Sequence, residues 1–299
     1  MLTWRDTIDM WLLAAVWGAS FLFLRIAAPE MGPVVVAAGR VLGAAAVLLP
    51  LLAWRGHGGA ARTVWPQLVL SGLVTCVLPF LGLSQAARSI PAGPLSILNA
   101  TTPLWGALVG WLWAREPLRA RTALGLLMGL GGVAWLAAHR SPLDVPLDPP
   151  AVALALGATL CYALGVHHSR RHLSGLPPLV VSGGSLAAAG VMLLGPAWWL
   201  GPQDGMGHAV AWSHVPAIAW AALAALAVVC TALAYLRFYR LIERIGPSRA
   251  MTVTFLIPVF GMLWGALWLD ETISLTMVLS TGVIVAGTVL STRSPGAGR

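Results

Sequence analysis

The sequence PLWGALVGWLWARE at residues 103–116 recurs as PVFGMLWGALWLDE at residues 258–271. The two stretches align without a gap at an offset of 155 residues. Seven of the 14 aligned positions are identical, and they include the first Pro and the last Glu. Two unrelated apolar stretches seldom share both of these residue types, so an internal duplication explains the match better than chance.

The duplication extends beyond this stretch. The first helices of the two halves align more weakly, with Trp17-Gly18 over Tyr162-Ala163 at a slightly shorter offset. The offset of 155 also pairs Ile90 with Ile245, Phe80 with Tyr235, and Gly132 with Gly287. We therefore predict two related halves, residues 1–140 and residues 141–299.

The composition places both halves in a membrane. Only 9% of the 299 residues are charged and 58% are hydrophobic, whereas soluble proteins carry about 25% charged residues. Apolar runs near the bilayer-spanning length of ~20 residues recur along the chain without the alternation of a β-barrel. The sequence predicts an all-α integral membrane protein with ten transmembrane helices, at 9–28, 33–54, 65–87, 92–113, 119–138, 150–169, 177–200, 214–236, 247–268 and 273–291.

Five helices in each half give the second half an inverted orientation, the arrangement of many secondary transporters. All 18 basic residues are Arg, and they lie in short runs between apolar stretches, which indicates topology rather than nucleic-acid binding. Positive loops stay in the cytoplasm. A cytoplasmic N-terminus places fourteen arginines inside and three outside, namely Arg25, Arg88 and Arg140. We predict that both termini are cytoplasmic and that the first span is a retained helix.

Several motifs together resemble the EamA repeat of the drug/metabolite transporter (DMT) superfamily. They are the stretches 103–118 and 258–273, which begin with Pro and end with Glu-x-Leu or Glu-x-Ile, WGASF at 17–21, Arg40 in the second span, and YLRFYRLIERIG at 235–246. Arg115 departs from the Gly or Asp that the family has before the Glu. The resemblance implies a ten-helix exporter of amino acids, nucleosides or other metabolites in a bacterial-type inner (plasma) membrane. It also implies alternating access around a cavity lined by helices one, three, four, six, eight and nine.

Polar residues at helical spacing are candidates for the lining of this cavity. Ser96, Asn99 and Thr102 form one stripe of span four, which Pro103 loosens by removing a backbone donor. Thr254 occupies the position of Asn99 in the second half. The alternative role for these residues is hydrogen bonding between helices.

Aromatic residues are the second group of candidates. Trp17 and Tyr162 match in the two halves, and Trp105 and Tyr235 lie in other candidate helices. Trp and Tyr are also common at membrane interfaces, which suffices for Trp4, Trp54, Trp65, Trp198 and Trp199. The full predicted substrate-binding set is Trp17, Ser20, Phe80, Ser96, Asn99, Thr102, Trp105, Tyr162, Thr231, Tyr235 and Thr254.

Arg40 is the basic residue that lies well inside a span. It can attract a carboxylate, or it can brace its helix by bonding carbonyls or by snorkelling, and we favour bracing. No carboxylate lies in the middle of a predicted span, which argues against a carboxylate proton relay. A neutral, aromatic cavity suits zwitterionic amino acids, so we expect amino-acid export. The alternative is export of nucleosides, nucleobases or drug-like compounds.

The sequence contains no motif that indicates an enzyme or a cofactor. It has no HExxH, P-loop or GxSxG, and its three cysteines lie apart inside apolar runs. His167 and His168 are adjacent and face different sides of a helix, so we predict no metal site. A lipid or prenyl transferase and a structural or receptor protein are weaker hypotheses. We expect a lipid-embedded monomer with a small-molecule substrate and no nucleic-acid partner.

Three pairs of glycines have the spacing that allows close helix packing. They are Gly106 with Gly110, Gly125 with Gly129, and Gly261 with Gly265. We expect each pair to lie at a helix contact.

Overall fold

The computed structural model describes residues 3–113, 115, 120–138 and 147–292. Helices dominate these ranges, and no β-strand forms within them. Glu116, Arg119 and residues 139–146, which contain the predicted boundary between the halves, lie outside the described residues.

The first helical segment, α1, runs from Trp4 to Trp54. It begins at a capping box, in which the Thr3 side chain accepts from the Asp6 amide while the Asp6 carboxylate accepts from the Thr3 amide. As one straight α-helix its 51 residues would be roughly 75 Å long, more than twice the ~30 Å of a bilayer core. The segment is broken at Gly32, whose φ of 72° and ψ of 159° are not helical. The break divides α1 into two arms, which correspond to the first two predicted spans.

The remaining helices follow the other predicted spans, with interruptions, except for the short α2, which lies between the second and third predicted spans. Two π-helical stretches, Leu73–Val77 and Ala225–Leu233, join α3 to α4 and α10 to α11, and a 3₁₀ turn, Met251–Phe255, precedes α13. The helices are α2 Gly58–Thr63, α3 Trp65–Gly72, α4 Leu78–Ala86, α5 Ala92–Asn99, α6 Thr102–Leu112, α7 Ala120–Ala138, α8 Pro149–His172, α9 Pro178–Leu200, α10 Ala217–Ala224, α11 Ala234–Ile245, α12 Pro247–Ala250, α13 Ile257–Trp268 and α14 Leu275–Thr292.

Length and composition make six helical stretches of the described chain suitable for crossing a bilayer. Two shorter apolar helices, α13 and α14, accompany them. The six stretches are Trp4–Trp54, Trp65–Ala86, Ala120–Ala138, Pro149–His172, Pro178–Leu200 and Ala217–Ile245. The five tryptophans expected at membrane interfaces are all strongly exposed, as expected for rings that contact lipid headgroups.

The backbone repeats irregular features at the offset seen in the sequence. The π-helical stretch Leu73–Val77 falls on Ala225–Leu233 when it is moved by 155 residues. Arg115 and Asp270, also 155 apart, both have left-handed φ values, of 54° and 55°. This conformation is costly for most residues other than Gly, Asn and Asp, which is a physical reason for a Gly or Asp at this point of the repeat.

Helices from before residue 140 pack directly on helices from after residue 147. The arms of α1 contact α9, the α10–α11 segment and α13; α5 contacts α13; α4 contacts α8; and α7 contacts α14. Small residues permit the closest approaches: a Cβ on Gly125 would lie 2.5 Å from the Gly287 oxygen. Gly129, Gly261 and Gly265 are likewise in tight contacts. Nothing lies within 4 Å of a Cβ on Gly106, so the contact of α6 with α8 does not require a glycine at that position.

Candidate substrate cavity

A cavity of about 360 Å³ lies where the two halves of the chain meet. Its lining comes from both halves, with side chains from α1, α4, α5 and α6 facing others from α8, α9, α11 and α13. Eight residues of the predicted substrate-binding set line it: Trp17, Ser20, Phe80, Asn99, Thr102, Tyr162, Tyr235 and Thr254. The structure therefore brings most of the predicted set together in one place.

Three residues of the predicted set do not line the cavity. Ser96 is fully buried, and its hydroxyl donates to the Gly93 carbonyl at 2.6 Å. Its side chain packs against Gly261 and fills the space that a larger residue at position 261 would need. Trp105 lies outside the lining, and its indole nitrogen is buried without a hydrogen-bond partner. Thr231 is also fully buried, but it contacts a residue that does line the cavity.

The polar stripe of span four reaches the cavity where the helix is interrupted. Helix α5 ends at Asn99 and α6 begins at Thr102, with Pro103 in its first turn. The Asn99 carbonyl, which Pro103 has no N–H to bond, accepts from the Thr102 hydroxyl at 2.9 Å, and the Thr101 hydroxyl donates to the Leu98 carbonyl at 2.7 Å. The loosening expected from Pro103 is present, and the side chain of Asn99 remains available at the break.

Aromatic rings form much of the wall. The rings of Trp17 and Phe238 are 5.0 Å apart in an edge-to-face arrangement, and those of Tyr235 and Tyr239 are 6.1 Å apart. Phe238 and Tyr239 line the cavity but were not in the predicted set. Tyr239 follows Tyr235 by four residues on the same helix, a spacing that places both rings on one face and that would have identified it.

Arg40 was also absent from the predicted substrate-binding set, and its charge changes the chemistry of the cavity. Its side chain is 8% exposed and lines the cavity. The Nε atom donates to Thr231 Oγ1 at 3.0 Å, and the guanidinium carbon lies 4.0 Å from the centre of the Phe80 ring. The bond to Thr231 is a bracing contact, as expected, but Arg40 does not snorkel to a membrane surface. The expectation of a cavity without fixed charge was wrong.

The cavity extends toward the ends of the helices that the arginine distribution assigns to the cytoplasm. There its lining reaches Ser169 near the end of α8, Ser182 in the first turns of α9, and Met251. At the other end of the lining lie Phe80 and Leu83, which are buried and which we call the floor of the cavity.

Beyond that floor, Glu271 links the two halves. It is 5% exposed, and its carboxylate accepts the Ala92 amide at 2.7 Å and the Gly93 amide at 3.0 Å, which caps α5. Burial raises the pKa of Glu271, while the two amides and nearby Arg25 act in the opposite direction. The Glu271 carboxylate of the second half therefore caps the N-terminus of α5 in the first half.

Arginines hold the surrounding loops at this end. Arg25 donates to the carbonyls of Ala87 and Arg88, and Arg88 donates to the carbonyls of Asp204 and Gly205. All of these residues lie at helix ends or loops that the sequence assigns to the outer side. The contacts hold the end of α4 against Arg25 and against the segment at 204–205.

An ion-pair network joins α1 and α11 at the opposite end. Arg237 Nε lies 2.7 Å from Asp9 Oδ1, and Arg244 Nε lies 2.9 Å from Asp6 Oδ1. Arg244 also pairs with Asp9. The network ties the N-terminal arm of α1 to the helix that carries Tyr235 and Tyr239.

A larger cavity of about 560 Å³ lies at the ends of α3 and α8. It is lined by Gln67 and Trp113 from the first half and by the basic cluster from His167 to His172 from the second half. His167 contacts the Gly106 carbonyl at 3.0 Å and His168 contacts the Gln67 carbonyl at 3.1 Å. Among the described residues, no three His, Cys, Asp or Glu side chains gather as metal ligands would.

Known proteins share both the sequence and the fold. A model of the EamA-like transporter family matches the chain twice, over residues 8–138 and 149–293. "Uncharacterized transporter YvbV" of Bacillus subtilis (strain 168) is 25% identical, with 96% of this chain and 91% of that protein covered. "Uncharacterized inner membrane transporter YedA" of Escherichia coli (strain K12) is 26% identical, with 94% and 88% covered.

Two further similar proteins are one whose name states its substrates and one whose crystal structure is known. "Threonine/homoserine exporter RhtA" of Escherichia coli (strain K12) is 29% identical over 210 residues, which are 69% of this chain and 64% of that protein. A crystal structure that is 20% identical covers 96% of both chains with a TM-score of 0.65, so the fold is shared. These relatives are transporters and not enzymes. Because the family model spans nearly all of the chain, this multi-pass membrane protein belongs to the EamA-like transporter family.

Proposed function

We propose that this transporter exports small metabolites, with neutral or aromatic amino acids as its substrates. The observation that carries the proposal is the cavity between the halves, which combines aromatic rings with an amide, hydroxyls and one guanidinium. Its volume of about 360 Å³ is near the lower limit for small-molecule sites. One relative is named a threonine/homoserine exporter, which supports a substrate of this size and class.

The architecture that we propose has ten membrane spans in two inverted repeats, residues 1–140 and 141–299. Each predicted span contains helix in the described structure, and the two arms of α1 count as two spans. The π-helical stretches, the left-handed residues and the helix starts at Pro103 and Pro258 recur at one offset, which supports the duplication. Five spans in the first repeat invert the second.

We propose that the protein lies in a bacterial-type inner membrane with both termini in the cytoplasm. The arginine distribution supports this orientation, and one relative is named an inner membrane transporter. Labelling of a cysteine added at the N-terminus by an impermeant reagent in intact cells would contradict it.

Transport in this proposal proceeds by alternating access. The described conformation has a cavity that extends toward the proposed cytoplasmic side, a buried floor at Phe80 and Leu83, and Glu271 bonded across the halves beyond it. Release to the outside requires the helices around that floor to separate. The interrupted helices α5–α6 and α12–α13 are suited to such a movement because their backbone hydrogen bonds are already broken at one point.

Counterflow in liposomes tests the substrate class. Liposomes with the full-length protein, preloaded with one unlabelled compound, are given labelled leucine, methionine, threonine, phenylalanine or nucleosides. We expect at least one amino acid to accumulate above the level in protein-free liposomes. Accumulation of nucleosides or drug-like compounds alone would overturn the amino-acid proposal and leave the family assignment intact.

A further inference from the structure

Arg40 carries a charge that the described structure does not neutralise. Within the described residues, its hydrogen bond runs from Nε to Thr231, and no hydrogen bond is formed by its two terminal nitrogens. The described carboxylates that pair with arginines, Asp6 and Asp9, engage Arg237 and Arg244 instead. Among the residues that the structure describes, none that lines the cavity is an Asp or Glu.

An unpaired guanidinium in this position requires an explanation. Arginine keeps its proton at all physiological pH values, and a buried charge without a partner is strongly unfavourable. The side chain is also held in place, because Thr231 fixes Nε on one side and the Phe80 ring lies against its face on another. Nε is therefore occupied, and the terminal N–H groups remain as the donors that can bind a ligand in the cavity.

The cavity also contains an unused acceptor. The side-chain oxygen of Asn99 is buried and has no hydrogen-bond partner. Asn99 lies at the break between α5 and α6, whereas Arg40 lies on the second arm of α1. The cavity thus presents donors on one helix and an acceptor on another, with aromatic rings in the same wall.

We propose that Arg40 binds the carboxylate of the transported molecule and that Asn99 accepts a hydrogen bond from its ammonium group. This inference rests on the proposed function and narrows it to substrates with a free carboxylate. Two parallel N–H···O bonds from a planar guanidinium match a carboxylate in geometry and charge. The substrate side chain packs against the aromatic wall. Amines that lack the carboxylate, and nucleosides, leave Arg40 unpaired and are poor ligands.

Competition on the unaltered protein is the first test, because it does not depend on the folding of a variant. An amino acid that shows counterflow, such as phenylalanine, is competed with phenethylamine and with 3-phenylpropanoate. We expect the amine, which lacks the carboxylate, to compete at least roughly tenfold less well than the amino acid. We expect the acid, which keeps the carboxylate, to compete better than the amine. Equal competition by the amine would overturn the role of Arg40.

Substitutions provide the second test. We expect Arg40→Gln to raise the KM for the amino acid roughly tenfold or more, and Arg40→Lys to have a smaller effect because it keeps the charge and loses the planar fork. In the variant that lacks the charge, the preference for the amino acid over the amine should disappear. Arg62→Gln removes the same charge from an exposed site outside the cavity and should leave the KM unchanged. A preserved preference in folded Arg40→Gln protein would overturn the proposal.

A binding measurement separates this inference from the proposed function. The melting temperature of the purified protein is recorded with millimolar amino acid, amine or carboxylic acid. If no amino acid is transported but carboxylates alone raise the melting temperature, the export proposal fails and the Arg40 site stands. If amino acids are transported while amines and carboxylates stabilise equally, the Arg40 site fails and the export proposal stands. If neither transport nor stabilisation occurs, both fail.

Discussion

Asn99 and Thr254 occupy matching positions in the two halves and both line the cavity, but their side chains have different partners. The Thr254 hydroxyl donates to the Met251 carbonyl at 2.8 Å, within its own helical turn. The side-chain oxygen of Asn99 has no partner. A residue whose polar group is not used by the fold is the better candidate for contact with a substrate.

For this reason we expect Asn99→Ala to slow transport without loss of folded protein. The loss of one hydrogen bond to a charged group should raise the KM by roughly tenfold, and the melting temperature should stay close to that of the parent. Trp199→Phe, which alters an exposed ring outside the lining, is the control. Unchanged kinetics of Asn99→Ala would remove Asn99 from the site.

Arg40 shows how far sequence reasoning reached at this scale. An ionisable residue inside a span indicates function by default, and the sequence identified Arg40 as such a residue. The choice between bracing and binding depends on whether the head group meets a cavity. That is determined by the packing of the second arm of α1 against Thr231 and Phe80, which are 191 and 40 residues away in sequence.

At the scale of elements, the irregular helices surround the cavity. The π-helical stretch Leu73–Val77 supplies Thr75 and Cys76 to its lining, and the stretch Ala225–Leu233 supplies Thr231, which holds Arg40. The Thr231 hydroxyl donates to the Leu226 carbonyl, five residues back, as a π-helical turn permits. Periodicity predicts the helices but not these widened turns, because a run in which almost every residue is apolar carries no periodic signal that separates an α-turn from a π-turn.

Helices α7 and α14 approach each other through glycines, and this contact can be tested. A Cβ on Gly125 would lie 2.5 Å from the Gly287 oxygen and 2.7 Å from the Ser291 nitrogen. Since backbone atoms cannot move aside easily, we expect Gly125→Ala to destabilise the fold by about 1–3 kcal/mol and to lower the melting temperature in detergent.

Gly131→Ala is the matched control, because Gly131 lies on the same helix with nothing within 4 Å of an added Cβ. The better helix propensity of Ala should leave this variant as stable as the parent, or more stable by about 0.5–1 kcal/mol. Equal melting temperatures for the two variants would show that α7 and α14 do not pack through Gly125.

At the scale of the whole molecule, the closure of one end depends on a carboxylate from one half and a helix start from the other. Glu271 in the second half accepts both N-terminal amides of α5 in the first half. It also packs against Gly265 of its own half, where a Cβ would lie within 2.4 Å of its carboxylate. The copy of this contact in the other half would involve Glu116, which lies outside the described residues.

The pH dependence of stability should reveal this contact. Because burial raises the pKa of Glu271, the native state holds the proton more tightly than the unfolded chain does. The contribution of Glu271 to stability is then fully present at acid pH and falls as the pH rises through the raised pKa. We expect the melting temperature of the parent, relative to Glu271→Gln, to fall as the pH is raised from about 4 to about 8.

Two comparisons of variant stability test this interpretation. Glu271→Ala leaves the amides of Ala92 and Gly93 without an acceptor, so it should be less stable than Glu271→Gln at every pH. A constant difference between the parent and Glu271→Gln across the pH range would show that Glu271 does not titrate in a buried contact between the halves.

The membrane environment, the helical class, the duplication and the membership of a transporter family follow from the amino-acid sequence alone. Span length, apolar composition and an aligned repeat are local properties that need no knowledge of distant contacts. Which polar residues reach the cavity depends on how the helices pack. Ser96 is turned away because Gly261 of the other half packs against it, while Arg40 is directed inward by Thr231 and Phe80. These outcomes depend on contacts between helices that are far apart in sequence, and the pattern of one helix cannot specify them.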